Sequence, residues 1–164
     1  MKYFLVMEVA RSGQSGIVIT QRKYTLDLLS ETGMLGSKPV ITPINCNHKL
    51  GRLSSRPEVD KGRYQRLVGK LIYLSHTRPN IAFVVNIVSE FIHSPTEEHM
   101  EAMYRILRYL KGTLGKGLFF KNGCTLQVEA YTDADWAGAL DDHKSTSGYC
   151  TFLGGNLVTW RSKK

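Results

Sequence analysis

The sequence predicts an α+β fold: a β-hairpin and a helix lead into a three-helix centre, and a run of antiparallel strands follows. Three observations carry this. Apolar residues recur at helical spacing from about residue 61 to 111, they alternate with period two from Gly117 onward, and turn formers separate the runs. With 164 residues, 42% hydrophobic and 22% charged, the chain has the composition to bury a core, and complete disorder is excluded.

Residues 3–10 and 17–21 are expected as two strands joined through Ser12-Gly13-Gln14-Ser15-Gly16. A helix over about Arg22 to Thr32 should end on Gly33 as a left-handed cap. Gly36, Pro39, Pro43, Gly51 and Pro57 interrupt residues 36–60, which read as a partly extended connector. The next helix, about Lys61 to Ser75, puts Tyr64, Leu67, Val68, Leu71 and Leu74 on one face. Another, about Pro79 to Ile92, is rich in β-branched residues, but Ile81, Val84, Val85, Val88, Phe91 and Ile92 keep helical spacing.

The last helix has a capping box to start it, with Ser94 as cap, Pro95 at the first position and Glu97 closing the box. Its expected buried stripe is Met100, Met103, Tyr104, Leu107 and Leu110, which makes Met103 and Tyr104 core residues rather than ligand contacts. Arg105, Arg108 and Lys111 sit near its negative end, and Gly112 stops it. Beyond it, 117–121 and 125–132 flank Asn122-Gly123, a type I′ hairpin signal, and 146–153 and 156–162 are expected as two further strands with Gly154-Gly155 or Gly155-Asn156 turning between them. The period switch near residue 115 marks the expected domain boundary.

Charge is unevenly placed. The chain carries 22 basic and 14 acidic residues, and residues 1–121 hold a net +9 against −1 for 122–164. Residues 38–78 concentrate nine basic groups against Glu58 and Asp60, a distribution that suits a polyanionic partner. Within it Arg63, Arg66 and Lys70 are spaced three and four apart, and Arg78 follows; they are the candidate nucleic-acid contacts, the alternative being the wet side of an amphipathic helix.

No apolar run reaches bilayer-spanning length, and no signal peptide is read at the start, so an intracellular protein, cytoplasmic or nuclear and without membrane, is expected. Three scattered cysteines argue against a disulfide framework or a structural zinc site.

The acidic stretch Thr132-Asp133-Ala134-Asp135, followed by Asp141-Asp142, is the local feature most open to chemistry. On a strand running to 135, Asp133 and Asp135 share a face. One or two carboxylates can hold magnesium, but two-metal phosphodiester cleavage needs more. An EF-hand reading fails, because Ala137 and Lys144 stand where calcium needs oxygen ligands. The five histidines lack HxxxH or HExxH spacing, Cys46-Asn47-His48 has no partner ligands nearby, and no glycine pattern forms a phosphate cradle.

The blocks QRKYTLDLLSETGM (21–34), YQRLVGKLIYLSHTRPNIAF (64–83), MYRILRYLKGT (103–113), YTDADWAG (131–138) and KSTSGYCTFLGGNLVTWRSKK (144–164) make the chain identifiable. It resembles the Pol polyprotein of copia-type LTR retrotransposons, over essentially its whole length. The resemblance implies the end of a reverse transcriptase palm over 1–35, a thumb/connection-like helical region over 36–115, and the opening strands of a ribonuclease H-like domain over 116–164. It implies magnesium as the parent's cofactor. The implied partners are RNA, DNA or an RNA–DNA hybrid, and the rest of the Pol polyprotein.

It also implies that Asp133 matches the first catalytic, metal-binding aspartate of ribonuclease H, whereas Asp135 is not a ligand. The family's Tyr-Val-Asp-Asp type box and its ribonuclease H glutamate have no counterpart here. Val6 stands where the family often has glycine. The expectation is a Pol segment that is inactive by itself, the alternatives being a non-catalytic nucleic-acid binding module or a remnant open reading frame. An uncovered apolar sheet face is expected at the strands, with the best-ordered packing over 61–112.

Overall fold

The computed structural model describes residues 2–13, 15–45, 50, 59–123, 126–135 and 146–163. The elements are β1 (Lys2–Phe4), β2 (Met7–Ser12), β3 (Gly16–Thr20), α1 (Arg22–Glu31), α2 (Lys61–Ser75), α3 (Pro79–Ser89), α4 (Glu97–Lys111), β4 (Leu118–Lys121), β5 (Val128–Asp135), β6 (Thr146–Leu153) and β7 (Asn156–Lys163). The fold is α+β, with two antiparallel sheets ordered β1-β2-β3-β4 and β5-β6-β7.

The core is helical. Leu28 and Leu29 of α1, the Tyr64/Leu67/Val68/Leu71/Leu74 stripe of α2, Ile81, Val84, Val85 and Val88 of α3, and Met100, Met103, Ile106, Leu107 and Leu110 of α4 form one buried cluster. Each such side chain stabilises by about 1.5–3 kcal/mol on burial. Tyr104 lies only partly buried against the cluster, and Ile106 takes the deep position beside Met103. Tyr64 is fully buried yet satisfied, since its hydroxyl donates to the Val88 carbonyl at 2.7 Å and so joins α2 to α3. No strand residue belongs to this hydrophobic cluster among the described residues, and large apolar side chains stay exposed on the strands, as at Tyr3, Phe4, Val128 and Tyr131.

Helix ends follow the local chemistry. α1 stops in a Schellman arrangement: Gly33 has φ +70, its N–H donates to Ser30 O, and Met34 N–H donates to Leu29 O at 2.7 Å. α2 starts where Asp60 accepts the Arg63 N–H at 3.0 Å, and Pro79 opens α3. α3 ends at Ser89 rather than Ile92, and a turn follows in which Phe91 remains buried.

The start of α4 differs from the Ser94-Pro95-Glu97 box. Thr96 is the cap, in extended conformation, and His99 closes the box by accepting the Thr96 N–H on Nδ1 at 2.9 Å. Pro95 precedes that cap and so lies outside the helix, and its carbonyl accepts from Val59 N–H.

Two strand expectations are corrected. Residues 3–10 are not one strand but β1 and β2, reversing at Leu5 and Val6 with φ +46 and +61. The register Phe4↔Met7 leaves just those two residues in the turn, which demands positive φ at both.

Second, Asn122-Gly123 does not join 117–121 to 125–132 as a hairpin. β4 pairs with β3 (Ile17↔Phe120, Ile19↔Leu118), and β5 pairs with β6. Gly16 makes this approach possible: a Cβ there would lie 2.1 Å from the Phe120 carbonyl oxygen. Of the two turns open between β6 and β7, Gly154-Gly155 is the one that forms, with φ +57 and +74, since Leu153 pairs with Asn156.

Candidate nucleic-acid interface and acidic strand

Burying the Tyr64 stripe turns the opposite face of α2 to solvent. Arg63 and Arg66 are exposed there, and Lys70, half-buried, pairs with Glu31 of α1. A surface pair of this kind is worth at most about 1 kcal/mol, so Lys70 can leave it for a stronger anion.

Between Arg66 and Lys70 lies Gly69, exposed in mid-helix, with nothing within 4 Å of where a Cβ would sit. No packing among the described residues requires glycine at this position. The ridge then reaches Tyr73, whose hydroxyl donates to the Leu5 carbonyl in the β1–β2 turn and whose ring meets Tyr24 edge-on at 5.3 Å. Basic side chains, a bare stretch of helix and the exposed Tyr3-Phe4-Leu5-Val6 turn thus form one continuous surface.

Arg78 does not join this surface. It is 3% exposed, and its guanidinium donates to the Thr113 carbonyl at 3.1 Å and to the Thr113 hydroxyl at 2.5 Å. It also lies 6.0 Å from the Tyr109 ring centroid. Burial pulls its pKa down, opposed by Tyr109. Arg78 therefore fastens the α2–α3 turn to the end of α4.

Polar joints hold the hairpin against this helix face. Glu8 of β2 is buried, and its carboxylate accepts the Lys23 N–H in the first turn of α1 at 2.9 Å, capping that helix from a neighbouring strand. Gln21, also buried, accepts the Thr77 hydroxyl at 2.7 Å. Neither contact has a sequence signature, because the partners lie 15 and 56 residues apart.

β5 runs through position 135, as a shared face for 133 and 135 requires. Asp133 is exposed on it, opposite Gly148 of β6. Glu129, on the same face, accepts the Tyr131 hydroxyl at 2.9 Å. Among the described residues no group of three or more Asp, Glu, His or Cys side chains is gathered to hold a metal. The described carboxylates therefore do not fit a two-ion magnesium centre. Asp141, Asp142, His143, Lys144, the Cys46-Asn47-His48 group and the basic residues Lys49, Arg52 and Arg56 lie outside the described residues. Cys150 is a free thiol. No helix among the described residues is long and apolar enough to cross a membrane.

With a basic α2 ridge, a strand-borne aspartate and this order of elements established, comparison with known proteins fixes the family. The chain belongs to the Pol polyproteins of copia-type retrotransposons. It is 48% identical over its full length to the retrovirus-related Pol polyprotein from transposon RE1 of Arabidopsis thaliana, and 47% identical to that from transposon RE2. It is 38% identical, over 97% of its length, to the Pol polyprotein from transposon TNT 1-94 of Nicotiana tabacum. The chain spans 11% of the RE1 and RE2 polyproteins and 12% of the TNT 1-94 polyprotein. No family model matches it, and no solved structure does.

Proposed function

We propose that the chain is the duplex-gripping segment of an RNA-directed DNA polymerase with ribonuclease H activity. The α2 ridge of Arg63, Arg66 and Lys70 meets the phosphates of an RNA–DNA hybrid or a DNA duplex. Residues 1–35 play the part of the end of the palm, 36–115 that of thumb and connection, and 116–164 that of the opening ribonuclease H strands, with Asp133 as the first metal-binding aspartate of that domain. The remainder of the Pol polyprotein supplies the other carboxylates.

The observation that carries this reading is the exposed cationic ridge broken by Gly69 and continued through Tyr73 to the β1–β2 turn. Such a surface offers charge to a phosphate backbone and a bare helix stretch to a groove. Arg78 enters as a positioning residue, since its guanidinium is held by Thr113.

The test is the salt dependence of hybrid binding by the 164-residue chain. Two or three phosphate contacts give a log–log slope of about −2 to −3, and Arg66→Gln brings it about 0.9 closer to zero. A slope near zero, or an unchanged slope in Arg66→Gln, removes the reading. Binding without hybrid cleavage in magnesium is the expected behaviour of this chain, because a lone positioned aspartate does not clamp two ions.

A further inference from the structure

The two faces of the β5–β7 sheet are chemically opposite. On one face, Tyr131 and Phe152 pack edge to face at 5.9 Å, and the Trp160 indole N–H donates to the Ser75 carbonyl at the end of α2 at 3.0 Å. That face leans on the helices. The carboxylates Glu129 and Asp133 alternate to it as well.

The other face carries Tyr149, paired across the strands with Thr132 on one side and Arg161 on the other, and Ser147, paired with Lys163. Tyr149 is 45% exposed, and Thr132, Ser147, Arg161 and Lys163 are all exposed. These five border one shallow depression; Asp133 also borders it but alternates to the helix-facing side. By alternation, no described strand residue of this outer face is acidic, and neither Arg161 nor Lys163 forms an ion pair with a described residue.

We propose that this outer face is a second nucleic-acid surface, one that takes an unpaired strand. An exposed ring on a β-sheet offers a stacking platform to any base, and the two exposed cations in a row beside it match a strand's phosphates. The hydroxyls of Thr132 and Ser147 flank them, with Ala134 between the two, and can donate to phosphate or sugar oxygens. A protein partner of ordinary composition has no need of this charge, and a second copy of the chain presents the same two cations and is repelled. The α2 ridge has no exposed ring at its centre and a different shape, so the two surfaces are separable.

The experiment measures binding of the 164-residue chain to a labelled oligo(dT) or oligo(U) strand and, separately, to a blunt RNA–DNA hybrid. Tyr149→Ala is expected to weaken single-strand binding about tenfold, in line with the loss of one stacked base, while hybrid binding holds. Tyr149→Phe, which keeps the ring and the fold, should bind within about twofold of wild type. Arg161→Gln with Lys163→Gln should bring the single-strand salt slope about 1.4 closer to zero.

Unchanged single-strand affinity in a folded Tyr149→Ala chain overturns the proposal. So does an equal loss on both ligands, or self-association that Tyr149→Ala abolishes. Arg66→Gln separates the two readings. If it leaves hybrid binding intact while Tyr149→Ala still cuts single-strand binding, the α2 reading fails and this one stands.

Discussion

Asn156, the first residue of β7, holds both polar groups of the Lys121 peptide: the Lys121 N–H donates to Asn156 Oδ1 at 2.7 Å, and Asn156 Nδ2 donates to the Lys121 carbonyl at 3.1 Å. A carboxamide has the donor and acceptor of a peptide group, so Asn156 acts as one rung of a β-ladder on the edge of β4 that β3 leaves open. It ties the four-stranded sheet to the three-stranded one. It also occupies the edge that a hairpin through Asn122-Gly123 would have used.

Asn156→Ala should therefore remove both of these bonds to the Lys121 peptide. Hydrogen exchange there should speed by about tenfold, with a stability loss of about 1 kcal/mol, as for two exposed hydrogen bonds. Asn156→Asp keeps an acceptor for the Lys121 N–H and should protect it better than alanine does. Equal exchange in all three proteins would show that the clamp does not form in solution.

Val6 sits at φ +61, where a β-branched side chain is strained; it stands where the family it resembles often has glycine. The hairpin forms regardless, so the strain is borne by the rest of the fold. Val6→Gly should raise stability by about 1 kcal/mol in urea denaturation, since relief of a left-handed β-branched residue outweighs the extra freedom of glycine in the unfolded chain. A loss of stability would mean that Val6 is held by contacts rather than tolerated by them.

What could be read in the sequence was what is local. The Tyr64–Leu74 stripe, the Gly33 cap and the Gly154-Gly155 turn each depend on residues within one turn of each other, and all are present. The acidic strand and basic helix face were legible for the same reason. Long-range choices were not. Asn122-Gly123 carries the pattern of a hairpin, but β3, a hundred residues earlier, offered β4 a pairing that a two-residue pattern does not register. Arg78 looks like any basic residue in a basic segment until Thr113 and Tyr109 are placed around it. The Leu5-Val6 reversal carries no Gly, Asn or Asp to announce it.

His99 gives α4 a pH-sensitive start. Its Nδ1 accepts the Thr96 N–H, its ring stacks on Phe91 at 3.9 Å, and its Nε2 is buried without a partner among the described residues. Burial holds its pKa below the usual histidine value, against a smaller opposing pull from Glu98. The neutral ring is thus favoured in the folded state. Its contribution is complete above about pH 6.5, the unfolded value, and is lost as pH falls through the lower folded pKa. The thermal midpoint should drop between about pH 7 and pH 5, at a cost in the range of a lost N-cap, roughly 0.5–2 kcal/mol. His99→Gln keeps an acceptor but does not titrate. If its midpoint falls as steeply over that interval, some other group is responsible.

Arg78 and Arg66 should separate stability from binding. Arg78→Gln leaves Thr113 without its guanidinium partner and should lower stability by about 2 kcal/mol, the order of a charged hydrogen-bond pair. The salt slope of hybrid binding should not move. Arg66→Gln should do the reverse. Denaturation and binding titrations on both variants check the pair, and a changed slope in Arg78→Gln would return that residue to the interface.

Gly69 gives the sharpest test of the ridge, because folding and binding pull in opposite directions there. An exposed glycine in mid-helix costs about 1 kcal/mol relative to alanine, and no described residue fills the space beside it. Gly69→Ala should therefore stabilise the chain by about 0.5–1 kcal/mol, and Gly69→Gln, also a good helix former, by slightly less. If the bare stretch exists to let a nucleic-acid groove approach the helix backbone, hybrid affinity should fall with side-chain size, glutamine binding more weakly than alanine and alanine more weakly than wild type. Single-strand binding at the β5–β7 sheet should stay constant across the series. Stabilised variants that bind the hybrid as well as wild type would show that the glycine serves neither fold nor grip, and the contact would then rest on Arg63, Arg66 and Lys70 alone.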